Sequence, residues 1–175
     1  MNPVVQPFLT SFDFTDRGVR ITTGDLSADN ALHRMRDGEG ASILWTLGHL
    51  YEYRRLVLAA MDVETESPYT SLFLDAPASE GAGYPELNAF LKDWSALAET
   101  LQQTLAVQPP EAFLTAEGEK KDLFTAIHFY VWHEASHMGV INVIRKELGH
   151  PSASEIVIAR MKKQQEEDAR TAADA

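Results

Sequence analysis

The sequence predicts an all-α protein, a four-helix bundle with a short additional C-terminal helix. Three observations predict it. Apolar residues recur three and four apart in several long segments, the spacing that lines one face of an α-helix. No segment alternates apolar and polar residues long enough to make a half-buried strand. Pro85, Pro109-Pro110, Gly149 and Pro151 fall at the ends of periodic segments, where they bound helices. Long helices with one apolar stripe each must bury those stripes against one another, and four of them close a bundle.

The first helix is predicted over residues 3–20. Val5, Phe8, Leu9 and Phe12 stand on one face, and the pattern weakens over 14–18. A polar stretch over 22–40 follows, with room for a short helical turn around 28–35. The second helix starts near Ala41 and Ser42, with Ser42 as its N-cap. Ile43, Leu47, Leu50, Val57 and Met61 form its stripe, and it is expected to stop before the acidic, proline-containing stretch 62–68. Residues 62–83 read as a long loop punctuated by Pro68, Pro77, Gly81 and Gly83. Loops of that length in compact domains tend to carry function, which makes this one a candidate lid or specificity element.

The third helix has the cleanest rhythm. Pro85 fits its first position, Leu87, Phe90, Leu91, Trp94, Leu97, Ala98, Leu101 and Leu105 follow, and Pro109-Pro110 ends it. The fourth is predicted over 122–148, with Gly149 as the residue past its end and Pro151 blocking continuation. Its stripe is Ile127, Tyr130, Glu134, His137, Ile141, Ile144 and Leu148. A short fifth helix opens at Ser152, where Ser152 and Glu155 make a capping box. From Lys162 the chain turns polar, and 162–175 is expected to fray. The whole of 1–175 reads as one domain, with the bundle core over 3–150.

Composition narrows the function classes. The chain has no cysteine, which excludes disulfides, thiolate metal sites and cysteine nucleophiles. Fifteen basic residues face 26 acidic ones, a formal charge of −11, and such a field repels phosphate backbones. The basic pairs Arg34/Arg36, Arg54/Arg55 and Lys162/Lys163 are short and lie near acids, so a nucleic-acid partner is not expected. No apolar run approaches the ~20 residues that span a bilayer. The first residues lack the basic start and apolar run of a secretory signal, so the expectation is a soluble, cytoplasmic protein.

The fourth helix holds the chemistry. His133 and His137 are four apart, so their rings lie on one face, one turn from each other. Two inward imidazoles at that spacing can hold one metal ion. His49 is the candidate third ligand, beside the stripe of the second helix, with Trp45 one turn before it and Glu52 three residues after. Antiparallel bundle helices build metal sites from facing side chains in this way. The competing reading is a pair of core histidines satisfied by Glu52, Glu134 or backbone. His128, His33 and His150 read as structural or solvated.

The same stretch, His133-Glu134-Ala135-Ser136-His137, also spells H-E-x-x-H. In zinc peptidases that spacing supplies two ligands and a glutamate that serves as general base. Glu155 would then be the third ligand, at the expense of the capping box. A peptidase of that kind needs a substrate-aligning strand and a second lobe, and the sequence predicts neither.

Ile43-Leu44-Trp45-Thr46-Leu47-Gly48-His49-Leu50 resembles the second-helix signature of the DinB/YfiT-like proteins. The stretch from Trp132 through Gly139, continued to Leu148-Gly149, resembles their fourth-helix signature. The resemblance covers residues 3–150 in helix order and length. It implies a four-helix bundle, often a homodimer, with one divalent metal on three histidines, which by position are His49, His133 and His137. Zinc or nickel is the expected ion. Many members of that family carry glutamine after the glycine that follows the last ligand, whereas Val140 follows Gly139 here.

Relatives of that kind use a low-molecular-weight thiol such as bacillithiol as nucleophile, so the resemblance implies a metal-dependent transferase acting on small electrophiles. A divalent cation strongly favours a thiolate, and a chain without cysteine must take its thiol from a cofactor. A hydrolase working through metal-activated water and a non-catalytic metal-binding dimer are the alternatives. The expected roles put His49, His133 and His137 on the metal. Glu134 or Glu52 would orient a ligand ring or accept a proton, and Trp45, Tyr53 and Tyr130 would line the pocket for a small-molecule substrate.

Overall fold

The computed structural model describes residues 3–113 and 122–173. Among these residues the chain is helical, with one isolated antiparallel bridge between Arg34 and Ser42. The elements are α1 (Gln6–Thr23), α2 (Ala28–Leu32), α3 (Ile43–Ala59), α4 (Thr70–Phe73), α5 (Leu87–Ala106), a 3₁₀ turn (Pro110–Phe113), α6 (Leu123–Glu147) and α7 (Ala153–Ala173). The bundle is α1, α3, α5 and α6. α1 and α3 each pack against both α5 and α6, so the order around the bundle is α1, α6, α3, α5.

The helix ends are fixed by local chemistry. Ser42 Oγ accepts the Trp45 amide at 3.1 Å, and Asp122 Oδ1 accepts that of Thr125 at 2.7 Å. α6 ends in a Schellman turn. Gly149 takes φ +81°, its amide bonds to the Lys146 carbonyl at 3.1 Å, and the His150 amide bonds to that of Arg145 at 2.9 Å. The capping box forms as read, with the Ser152 amide on Glu155 Oε2 at 2.7 Å and the Glu155 amide on Ser152 Oγ at 3.4 Å. The core stripes are buried where periodicity puts them: Ile43, Leu47, Leu50 and Val57 on α3, Phe90, Trp94, Leu101 and Leu105 on α5, and Ile127, Ile141 and Ile144 on α6.

Four expectations are corrected. α1 runs through the weak region to Thr23, because Asp16, which interrupts the apolar stripe, turns inward to a buried arginine and a tryptophan. Pro85 lies before the cap and not inside the first turn, since α5 starts at Leu87 with Glu86 as its N-cap. The loop 62–83 contains the single turn α4, whose Phe73 is fully buried against α3. The fifth helix is not short but runs as α7 to Ala173, with no buried residue among those whose burial is described and with contacts to α1.

Candidate metal centre

α3 and α6 pack side by side, and this brings His49 opposite His133 and His137. The ring centroids are 5.3 Å apart for His49 and His133, 5.1 Å for His49 and His137, and 4.4 Å for His133 and His137. One nitrogen from each ring lies within 4.8 Å of the others. His49 Nε2 and His133 Nε2 are 3.3 Å apart. Two nitrogens at ~2.0–2.1 Å from one tetrahedral zinc stand about 3.3–3.4 Å from each other, so this pair is spaced for a shared ion.

The protonation of the cluster suits a cation. His49 Nδ1 is 3.0 Å from the Phe73 carbonyl, which can only accept, so Nδ1 carries a proton and Nε2 is the nitrogen turned toward His133. Burial lowers the pKa of His133 to about 4, helped by the neighbouring His137 and His49. Burial also lowers that of His137, again with His49 contributing. Neutral rings are the ligand form, so the lowered pKa values of His133 and His137 suit those two rings to a divalent ion.

Aromatic rings enclose the cluster. Trp45 stacks on His49 at 4.9 Å and 12°. Tyr53 stacks on His133 at 4.2 Å and 26°, and Tyr130 meets Tyr53 edge-on at 6.0 Å. Phe129, which sequence reasoning did not single out, lies against His133 at 5.7 Å and 21°. The Trp45 indole N–H is buried without a hydrogen-bond partner among the described residues.

The structure does not bring the two glutamates to the imidazoles. Successive helical residues point ~100° apart, so Glu134 cannot share the direction of His133. Its oxygens instead take Arg54 Nε at 2.6 Å and Arg54 Nη2 at 3.1 Å. Arg54 Nη1 donates to Asp16 Oδ1 at 2.6 Å, as does Trp94 Nε1 at 3.0 Å, and the guanidinium lies 4.2 Å from the Trp94 ring centre. Burial works against the charge on Arg54, but the attraction of Glu134 and then Asp16 outweighs it and raises its pKa. A carboxylate held at both oxygens by one buried guanidinium is a counter-charge, not a free base.

Glu52 is buried on another side of α3. It accepts from Ser67 Oγ at 2.5 Å, Thr70 Oγ1 at 2.9 Å and Arg55 Nη1 at 2.7 Å, tying the segment around α4 onto the helix. The ring that needs orienting, His49, therefore receives its partner from a backbone carbonyl and not from either glutamate. Glu155 stays in its capping box and pairs with Lys146 at 2.9 Å, away from the third-ligand role of the peptidase reading.

The remaining histidines lie outside the cluster. His128 packs edge-on to Phe8 at 5.2 Å, and His33 pairs with Glu147 at 3.0 Å. His150 meets Asn30 at 2.9 Å and Asp25 at 3.1 Å. A separate cleft of about 320 Å³ between α1 and α5 is bordered by Asp13, Asp16, Arg20, Trp94, Glu99 and Gln102, and by none of the three clustered histidines. The chemistry is placed at the histidines because the donor atoms are there.

The Arg54 network and the Phe73 carbonyl were missed in the sequence. One signal was available: Gly48, a glycine inside a helix and next to a candidate ligand, marks a close approach of another chain segment. The family model described as the DinB superfamily matches residues 12–141, a span that contains all three histidines. No curated protein matches the chain.

Proposed function

The chain belongs to the DinB superfamily, and from that premise we propose that it binds one divalent cation, zinc or nickel, through His49, His133 and His137. With that ion it transfers a low-molecular-weight thiol onto small electrophiles. The observation that carries the reading is the convergence of three imidazoles from two helices, one of them oriented by the Phe73 carbonyl. A divalent ion on three imidazoles keeps a coordination position open, where a thiol gives up its proton readily.

Two features favour a thiol over water as the nucleophile. Water-based hydrolysis at such a centre draws on a general base, and both glutamates near the ligands are engaged by arginines. A thiol has an ordinary pKa of ~8.5 and needs no separate base once a cation is beside it. The chain has no cysteine, so the sulfur comes from a cosubstrate such as bacillithiol. The protein's residues do the rest. The imidazoles hold the ion, and Trp45, Tyr53, Tyr130 and Phe129 offer flat apolar walls to the electrophile and exclude water from it.

With a halonitroarene as electrophile, sulfur bonds to the ring carbon while the carbon–halogen bond breaks. The halide leaves with the electron pair and the thiol proton passes to solvent. The reading places the protein in the cytoplasm, where thiols are kept reduced, and takes it to be a homodimer with no nucleic-acid partner. The outer face of α6 ahead of Lys146 supports the dimer, since it exposes no charged residue while Phe129 and Trp132 stand exposed there at 48% and 65%. The test is consumption of a bacillithiol-like thiol with a halonitroarene by zinc- or nickel-loaded protein beside His49→Ala. Metal-dependent turnover in the wild type alone is expected. Turnover of an ester or amide without thiol, or none with either nucleophile, would overturn the reading.

A further inference from the structure

Three oddities of α3 point to one device. A glycine inside a helix weakens it, yet Gly48 sits mid-helix. Glu52 is buried although it is charged, and it is held by three donors. The segment predicted as a free loop is pinned to the helix by its fully buried Phe73. A Cβ on Gly48 would stand 2.3 Å from Phe73 Cδ2, with two more ring atoms within 2.5 Å, so only glycine lets that ring lie on the helix.

Glu52 draws in Ser67 and Thr70, and Arg55 adds Thr65 through Nε at 3.0 Å and a second bond to the Thr65 carbonyl. The result of this docking is the Phe73 carbonyl at 3.0 Å from His49 Nδ1. The pinned ring and the accepting carbonyl belong to the same residue, so the Phe73 peptide cannot leave His49 without the ring leaving Gly48.

We infer that residues 65–75 form a strap whose docking on Gly48 and Glu52 sets the tautomer of His49, so that strap closure and cation binding at the three histidines are coupled. Glu52 is then a positioning residue that acts on His49 through the strap. The inference rests on the metal-binding reading above. Partners that fix a ligand's tautomer commonly matter ~10–100-fold in metal affinity. Coupling is reciprocal, so zinc should favour the closed strap by the same factor as closure favours zinc.

The test uses the full chain, zinc as the probe, and two variants, Gly48→Ala and Glu52→Gln. Side-chain ¹⁵N spectra of the metal-free wild type should show His49 protonated at Nδ1, and either variant should move population to the Nε2-protonated form. Zinc titration should show about a 10–100-fold weaker Kd in both variants. Amide exchange over residues 65–75 should slow in the wild type on adding zinc and respond less in Glu52→Gln. If the wild type binds zinc while strap exchange is unchanged, the strap is plain scaffold and the inference fails alone. Variants that melt earlier but keep the wild-type Kd and tautomer would likewise overturn it. If the wild type binds no zinc, the metal-binding reading fails with it.

Discussion

His133 carries the strongest perturbation in the cluster, and its sign makes a prediction. Its folded-state pKa is about 4 against an ordinary 6.5, so between those values the unfolded chain takes up a proton that the folded protein refuses. The metal-free protein should therefore lose stability as pH falls from 6.5 through about 4. Urea midpoints measured in chelator across that window should drop, and the drop should be shallower in His133→Asn. An identical slope in both proteins would show that His133 does not drive it. Glu134 makes the second prediction. Breaking a buried ion pair commonly costs ~3–5 kcal/mol, so Glu134→Gln, which keeps a hydrogen-bonding amide, should destabilise by about 3 kcal/mol. Its metal content should stay at the wild-type level. The peptidase assignment makes the opposite forecast: stability kept and turnover lost.

The helices were legible in the sequence because their signals are local. Ser42 before an apolar run, Ser152 three residues ahead of Glu155 and Gly149 after the last turn of α6 each act within a few residues, and each forms the cap it spells. Ser42→Ala should accordingly cost about 1 kcal/mol, read as a lower urea midpoint with an unchanged m-value. The clustering of the three histidines was legible for a similar reason: the spacing of His133 and His137 fixes their relative direction on one helix, and His49 borders a core stripe. What was hidden depends on pairs distant in the chain. Arg54 finds Asp16 38 residues away and Glu134 80 residues away. No periodicity announces such a pairing, and Asp16 registered only as a flaw in the α1 pattern. The strap was hidden likewise, since α4 is a single turn that exists because Gly48 and Glu52 receive it.

Over the whole molecule, the acidic balance and the apolar outer surface pull in different directions. A charge of −11 keeps copies apart at long range. α6, by contrast, is apolar on both faces, with Ile127, Ile141 and Ile144 inward and Phe129, Trp132 and Val143 exposed. A contiguous exposed apolar cluster commonly marks a surface that another chain covers. α7 adds the exposed Val157, Ile158 and Met161. If the proposed homodimer forms through this surface, Trp132→Glu should sediment as a monomer at concentrations where the wild type is dimeric, with its metal content kept. Equal masses for the two proteins would place any interface elsewhere. Elemental analysis of untagged protein after zinc or nickel loading decides whether three imidazoles from α3 and α6 hold one ion. About one ion per chain is expected in the wild type and almost none in His49→Ala or His133→Ala, because removing one of three ligands leaves too few to retain a catalytic-type metal. A wild type that retains no ion, or a His49→Ala protein that retains it undiminished, would contradict the account.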